Sequence, residues 1–438
     1  MNVRIDLSAG RNPLAVAPRS QLLRAVLLGV LLLNAVLQSW AAWRELCDSG
    51  MDLRQDYLAA QRMLRGEDIF GHFSDAEVES LGGRFQLELG MWQNVHPPLL
   101  ILLFTPLVRL SFQSVALLWT IASAVVLVAL TLAICRLVAL PIAPFWRWTL
   151  ALLLLAWYPV WHHLHAGQLS IFLLALLVAA LIAWRRGAHT LAGILLALAT
   201  LIKMFPGFLL VYLLLRRQWR VGVTACATAL TVISLQSLAD PTLWPRYFLE
   251  VAPANAAGWR AAFGNGSLFG LTGRLLIGGP DIAPLIHLPA LEPLLRYLLY
   301  GLALAWFAWV LWTRRHAPPH PIGEYGLALI AALLLSPITW EHAAVFLLLP
   351  GLYLTSRALQ SDPAVDRWTI GLLGFAMLAS CVPAGVIWQD IYRTTQPAPA
   401  PSWLNLVQPY PLVFVACYLA LGRSLMRIGR SPYVRSTA

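Results

Sequence analysis

The run Pro97–Leu110, PPLLILLFTPLVRL, decides how the rest of the chain lies. It is strongly apolar, but it holds only 14 residues and is interrupted by Pro106 and Arg109. At 1.5 Å per residue, a helix of that length falls short of a hydrocarbon core of ~30 Å. If the run crosses a membrane, every later connection changes side. If it re-enters or lies at the surface, the connections carrying Arg136 and Arg147, Arg185 and Arg186, Arg216 to Arg220, Arg314 and Arg315, Arg357 and Arg367, and Arg423 to Arg435 all share one side. The positive-inside rule makes that side the cytoplasm. The re-entrant reading follows, with about twelve spanning helices and both termini cytoplasmic.

Composition sets the class. The 438 residues are 59% hydrophobic and 12% charged, with mean hydropathy +0.69. Soluble domains carry about 25% charged residues. The fold class is therefore an all-α polytopic transmembrane helix bundle, with amphipathic and re-entrant segments on the outer face. The net charge of +11 comes from arginines at the ends of apolar runs. With no basic stripe or binding motif, nucleic acid is excluded as a partner. The five cysteines are scattered, four of them inside apolar runs, which argues against a disulfide framework or a metal site.

The segment Ala25–Trp43 follows four arginines and is longer than a signal-peptide core, so it is expected to be an uncleaved helix. The first ~20 residues have the composition of a disordered tail. The expected organisation is a cytoplasmic tail at 1–21, one transmembrane domain at 22–422 and a second tail at 423–438. An outer loop at 44–113 would hold the chemistry, and a long loop at 240–291 would cover it. The aromatics Tyr247, Trp259, Phe263 and Phe269 in that cover suit stacking on sugar or an interfacial belt equally. Pro397–Pro401 is expected to be a spacer.

This topology gathers the unusual polar residues on the outer side. In MDLRQDYLAAQRMLR (Met51–Arg65), Asp52 and Asp56 fall four residues apart on one helical face. With them come NVHPP at Asn94–Pro98, WHHLHAGQ at Trp161–Gln168, KMFPG at Lys203–Gly207, NGSL at Asn265–Leu268 and SPITWEH at Ser336–His342. Polar groups at membrane depth are costly and mark function by default. Each has a plainer reading. Asp52 suits a helix cap or a base. Asp56 suits an ion pair with Arg54 or Arg62. His162, His163 and His165 suit interfacial packing beside Trp161, or phosphate or sugar binding; metal is a minority reading, since no second cluster has matching spacing. Lys203 suits snorkelling or a phosphate contact, and the absence of a neighbouring acid favours phosphate. Asn265 suits a turn.

The order of these motifs resembles glycosyltransferase family 87, polytopic enzymes of the GT-C class, from about Asp52 to Pro350. The family's first outer loop appears as Asp52-Leu53-Arg54-Gln55-Asp56-Tyr57-Leu58-Ala59-Ala60. Its Tyr-Pro-Pro appears as His96-Pro97-Pro98, and its Gly-Gln-x-Asn as Gly167-Gln168-Leu169-Ser170. Its Lys-x-x-Pro appears as Lys203-Met204-Phe205-Pro206, its Asn-x-Ser-Leu as Asn265-Gly266-Ser267-Leu268, and its Ser-Pro-x-x-Trp-x-His as Ser336 to His342. The chain departs from the pattern at His96, at Ser170 and at Asp56, where an aromatic is common.

The resemblance implies a membrane glycosyltransferase that moves a sugar, mannose first, from a polyprenyl-phosphate donor to a lipid or glycan acceptor. The reaction would occur on the outer face of a bacterial cytoplasmic membrane, with inversion. Asp52 is then the base, with Asp56 as the alternative. Lys203, His165, Gln168, His342, His96, Asn265, Trp340 and Glu341 are the expected donor-phosphate and sugar contacts. No cofactor is expected, although a divalent metal stays open. A lipid or solute transporter or flippase, and a lipid-linked oligosaccharide ligase or polymerase, are the competing classes; the first predicts inverted repeats, which the sequence does not clearly contain.

Overall fold

A computed structural model describes residues 18–82, 93–317, 320–395 and 398–428. Most of the tail expected to be disordered lies outside the described residues. The helices are α1 (Pro18–Ser49), α2 (Met51–Arg65), α3 (Asp75–Glu79), α4 (Pro98–Phe104), α5 (Phe112–Leu137), α6 (Pro144–Leu153) and α7 (Tyr158–Ala166). They continue as α8 (Ser170–Arg185), α9 (His189–Ile202), α10 (Phe208–Leu215), α11 (Trp219–Ala239), α12 (Leu243–Arg246), α13 (Ala252–Gly258) and α14 (Leu268–Leu276). The last are α15 (Glu292–Thr313), α16 (Pro321–Leu335), α17 (Leu348–Leu359), α18 (Arg367–Ala379), α19 (Ala384–Thr395), α20 (Leu404–Val407) and α21 (Tyr410–Ile428). Among the described residues there is no sheet, only an isolated parallel bridge between Ile282 and Ala400.

Among the described residues, six helical runs are long and apolar enough to cross a membrane, and eight if the bent pairs α7–α8 and α18–α19 each make one span. The other apolar helices of the expected twelve, α6, α9, α10 and α16, are shorter than the ~20 residues of a full span. The outer faces of α1, α11 and α15 expose Leu22, Leu33, Leu230, Leu238, Leu294 and Trp309. Helices whose backbone groups bond internally can present such faces to hydrocarbon. The core runs through α8, α16, α17 and α21, where Leu174, Leu177, Leu329, Leu349 and Phe414 are buried.

The run that decided the topology is a helix of 7 residues, α4, followed by a 3-10 turn at Leu107–Arg109. Pro106 lacks the N–H that would continue the helix. The segment packs on α2 and α9.

The arginine-rich ends meet one another. Glu324 at the start of α16 accepts from Arg216 at 2.8 Å and from Arg314 at 3.0 Å, and Tyr212 Oη donates to it at 3.2 Å. Asp366, the N-cap of α18, binds Arg423 and Arg427 of α21. Arg185 donates to Leu137 O at 3.4 Å.

The long connection at 240–291 is largely helical, carrying α12, a π turn at Tyr247–Val251, α13 and α14. It is clasped to the first loop by Arg246 and Asp68, at 2.9 and 3.1 Å, and by the rings of Phe70 and Tyr247. Tyr247, Phe263 and Phe269 are buried in packing, so these three rings are not free to stack on sugar. Of the Pro397–Pro401 stretch, expected to be a spacer, Pro397 lies outside the described residues. Ala400 is buried, donating to Asp281 O at 3.1 Å and accepting from Ala283 N at 2.9 Å, which ties it to the cover.

Candidate active site

The site begins where α1 gives way to α2. Gly50 precedes α2, and a Cβ there would lie 3.0 Å from His165 O. Gly167 ends α7 at φ +72°, in the left-handed region, and a Cβ would come within 2.5 Å of Leu53. Two glycines thus let the start of α2 close on the end of α7. The chain then turns by 112° into α8, which brings Gln168 against Asp52.

Asp52 lies in the first turn of α2 and remains partly exposed. Gln55 Nε2 donates to its Oδ1 at 2.8 Å, and Gln168 Nε2 donates to its Oδ2. The Gln168 amide oxygen in turn lies 3.5 Å from Lys203 Nζ. Lys203 follows the last turn of α9 with extended backbone, φ −152°. Burial pushes the Asp52 carboxyl above the usual carboxylate range, and Asp56 adds to the rise. His96, Lys203 and the Gln168 hydrogen bond oppose it without cancelling it.

Asp56 is 1% exposed and faces elsewhere. Its Oδ1 lies 2.7 Å from His96 Nδ1. Asn94 fixes that histidine: its Oδ1 accepts from His96 N at 2.9 Å, and its Nδ2 donates to His96 O at 3.2 Å. The carboxylate places the imidazole proton on Nδ1 and leaves Nε2 as the free nitrogen.

Beyond Lys203 lies a small pocket lined by Ser170, Lys203, Thr339, Trp340, His342 and Phe346. Ser170 Oγ is 2.7 Å from His342 Nδ1, and the buried His342 Nε2 has no partner. His165 stacks near Trp161, ring centroids 4.3 Å apart, and His162 links it to His342 at 4.9 and 5.6 Å. His163 turns away, with Nε2 3.2 Å from Ser123 Oγ. The WHHLHA segment is therefore helical, with the rings of His162 and His165 packed together toward His342 and His163 held at Ser123. Among the described residues, no group of three His, Cys, Asp or Glu could hold a metal ion.

The structure gathers Asp52, Asp56, His96, Gln168 and Lys203 into one cluster, with His342 and Trp340 on the adjoining pocket. Asn265 stands apart. Its Nδ2 donates to Trp259 O and Pro337 O, and its Oδ1 accepts from Ser267 N, Ser267 Oγ and Thr339 N. The side chain is fully used in pinning two loops together. Glu341 also turns from the pocket, accepting from Tyr158 Oη at 2.6 Å. Sequence reasoning missed Gln55, Tyr158 and Arg274. The first two share helical faces with Asp52 (three residues on) and with His162 (four residues back), which the 3.6-residue period makes visible.

A family model described as glycosyltransferase family 87 matches residues 94–337, more than half of the chain. The chain belongs to glycosyltransferase family 87. The match spans His96, Gln168, Lys203 and Asn265, and it begins after Asp52 and Asp56. Over 383 residues this family 87 glycosyltransferase is 26% identical to a polyprenol-phosphate-mannose-dependent alpha-(1-2)-phosphatidylinositol mannoside mannosyltransferase of Mycobacterium tuberculosis, covering 81% of this chain and 79% of that protein. Two crystal structures of ArnT from Cupriavidus metallidurans are similar at 16% and 15% identity. The one bound to undecaprenyl phosphate gives a TM-score of 0.42, covering 92% of this chain and 77% of that one. The apo form gives 0.39, covering 90% and 76%.

Proposed function

We propose that this enzyme moves a sugar, mannose first among the candidates, from a polyprenyl-phosphate donor to a lipid or glycan acceptor. The site would face the outer side of a bacterial cytoplasmic membrane, since the opposite end carries the arginines that the positive-inside rule assigns to the cytoplasm. The mannose preference and the donor class are supported by the mycobacterial relative. The observation that carries the reading is the chain of contacts from Gln55 to Asp52, Gln168 and Lys203. It sets a partly exposed carboxylate beside a cation at the mouth of a pocket.

In this reading the donor phosphate sits at Lys203, with Ser170 and the unpartnered His342 Nε2 adjoining. Asp52 takes the proton from the acceptor hydroxyl as its oxygen attacks the anomeric carbon. The bond from that carbon to the phosphate oxygen breaks, and the lipid phosphate leaves with the electron pair. The departing charge meets the Lys203 ammonium, so protonation by an acid is not required. A single in-line displacement inverts the anomeric centre. General-base assistance of this kind gives roughly 10²–10⁴-fold. Gln55 and Gln168 each occupy one lone-pair direction of the carboxylate and fix its orientation.

Asp56 holds His96 beside Asp52 and does not itself reach the substrate. The cover at 240–291 closes the site from one side, through the Arg246–Asp68 clasp. The test is a donor panel. Purified enzyme is incubated with polyprenyl-phosphate mannose, glucose and pentose, and the products are sized. Transfer of one sugar supports the reading. Transfer of a whole preassembled chain, or movement of lipid without a covalent product, contradicts it.

A further inference from the structure

Two arginines that the transfer mechanism does not use share one carboxylate. Arg260 follows α13 in the 240–291 connection, and Arg296 lies one turn into α15. The far end of α15 carries Arg314 and Arg315, so the positive-inside rule gives no reason for arginines at this end. Glu292, in the first turn of α15, is completely buried and accepts from Thr272 Oγ1 at 2.7 Å. Arg260 pairs with it directly, whereas Arg296 comes only to 3.8 Å through Nε. Among the described residues Arg296 makes no hydrogen bond, and its buried Nε lacks an acceptor. Its guanidinium lies over the rings of Phe269 and Tyr297, 5.0 and 4.8 Å from their centroids, and Arg260 lies over the same Phe269 ring at 5.5 Å. One phenyl ring thus carries two guanidinium groups against one carboxylate, which leaves a surplus of one positive charge. Burial, and after it the Arg296 charge, lowers the Arg260 pKa. A snorkelling arginine would extend its head into water. Arg296 instead folds onto two rings and is 17% exposed.

The surroundings are lipid-facing. Leu294, Tyr297 and Leu298 are exposed on α15, as are Leu288 and Leu291 on the strap that leads into it. That strap is held to the end of α14, with Leu288 N donating to Leu276 O at 3.0 Å. Neither arginine lines the pocket at Lys203. We infer that Arg260 and Arg296 hold the phosphate of an anionic membrane lipid, at a site separate from that pocket, and that the lipid fastens the 240–291 connection to α15. A singly charged phosphodiester cancels the surplus charge, and guanidinium forks match its oxygens. The acyl chains have the exposed leucines to lie along. A free phosphate would leave those leucines unused, and a zwitterionic lipid would bring its own cation against two arginines. Since Arg260 is on the connection and Arg296 on the span, one phosphate between them ties the two together. Trp259, beside Arg260, packs on Trp340 of the pocket at 5.0 Å between ring centroids, so the fastening acts on a wall of the pocket. The lipid's binding does not depend on the sugar-transfer reading.

The test uses full-length protein in detergent and a phosphatidylglycerol that carries a diazirine near its glycerol. After irradiation, adducts are mapped by mass spectrometry, and a thermal melt is run with and without the lipid. Wild type is expected to be labelled saturably between Leu285 and Leu298 and to melt higher with lipid. Arg296→Gln is expected to lower that labelling at least about tenfold, as loss of a charged hydrogen bond predicts. Because Arg296 makes no hydrogen bond within the protein, the variant should melt like wild type without lipid and lose the rise that lipid gives. Arg260→Lys keeps a charge beside Glu292 but loses the fork, and it should weaken labelling in the same direction. A diacylglycerol with the same diazirine, which lacks the phosphate, should label weakly and equally in wild type and variants. Equal phosphatidylglycerol labelling in wild type and folded variants would overturn the inference. So would diacylglycerol labelling as strong as that by phosphatidylglycerol, or complete competition by inorganic phosphate. An Arg296→Gln melt lowered equally with and without lipid would make the arginine a packing residue and overturn it too. Lys203→Met should leave the labelling intact; its loss there would assign the phosphate to the pocket and defeat the second site.

Discussion

Asp52 and Asp56 lie one turn apart on α2, yet they face different partners. Asp52 takes an amide donor on each oxygen, from Gln55 and Gln168, and keeps some exposure. Asp56 is buried against His96 Nδ1 at 2.7 Å. In the proposed reaction the roles separate accordingly, with Asp52 as the base and Asp56 as the residue that positions His96. Asp52→Asn is expected to lower kcat by at least ~10²-fold. Asp56→Asn and His96→Ala are each expected to cost about tenfold. Because the two residues act through one contact, their double variant should be no worse than either alone, which a double-mutant cycle on transfer rates measures.

Gln168 connects Asp52 to Lys203. Replacing it with Leu keeps the volume but removes the donor to Asp52 and the acceptor facing Lys203. A hydrogen bond to a charged group contributes about 1.5–3 kcal/mol, so kcat should fall roughly 10- to 100-fold, with little change in melting temperature. Steady-state kinetics beside a thermal melt checks both parts.

The pH profile carries a sign. The base works only when ionised, so kcat/KM should fall as pH drops through the Asp52 pKa. Burial places that pKa above the ordinary carboxylate value, and the acid limb should therefore lie above it. Lys203 pulls the pKa down. Lys203→Met should move the limb to higher pH as well as raise the donor KM. A limb that stays in place, with wild type and variant superposed, would separate Lys203 from the base.

At the arginine-rich end, Glu324 is fully buried between Arg216 and Arg314. Glu324→Gln leaves two guanidinium groups short of their counter-charge. Removing one member of a buried ion pair typically costs 3–5 kcal/mol. The expected outcome is a marked fall in melting temperature, while the kinetics of the surviving folded fraction stay close to wild type.

Much of the fold was legible in the chain. Apolar runs ended by arginine gave the helix positions to within a few residues, as at Val221–Leu238 for α11 and Leu294–Trp312 for α15. The shortness of Pro97–Leu110 also translated directly into α4 and its terminal turn. Less legible was the 240–291 connection, where short amphipathic turns alternate with Pro and Gly and no single period dominates. The tie between Ala400 and Ile282 joins residues more than a hundred positions apart, and no local pattern encodes it.

The candidate site was legible in its residue types and not in its pairings. Asp52, Gln168 and Lys203 stand out as polar groups in apolar surroundings, but their convergence depends on Gly167 and the bend after α7. His96 looked like a substrate contact and proves to hang on Asp56. Asn265 looked like a ligand and has every hydrogen bond filled by backbone and by Ser267. Arg274 escaped notice because a single arginine in LFGLTGRLL looks like a solvated residue, although it is buried.

The measurement that tests the central claim most directly compares wild type, Asp52→Asn and Asp56→Asn, each shown to be folded. Radiolabelled polyprenyl-phosphate mannose is supplied with membrane lipid extract from the source cell. The account predicts label in a new product with wild type, none above background with Asp52→Asn, and a reduced yield with Asp56→Asn. Transfer left intact in Asp52→Asn and abolished in Asp56→Asn would contradict the assignment of the base, and no transfer by wild type from any polyprenyl-phosphate sugar would contradict the proposed reaction.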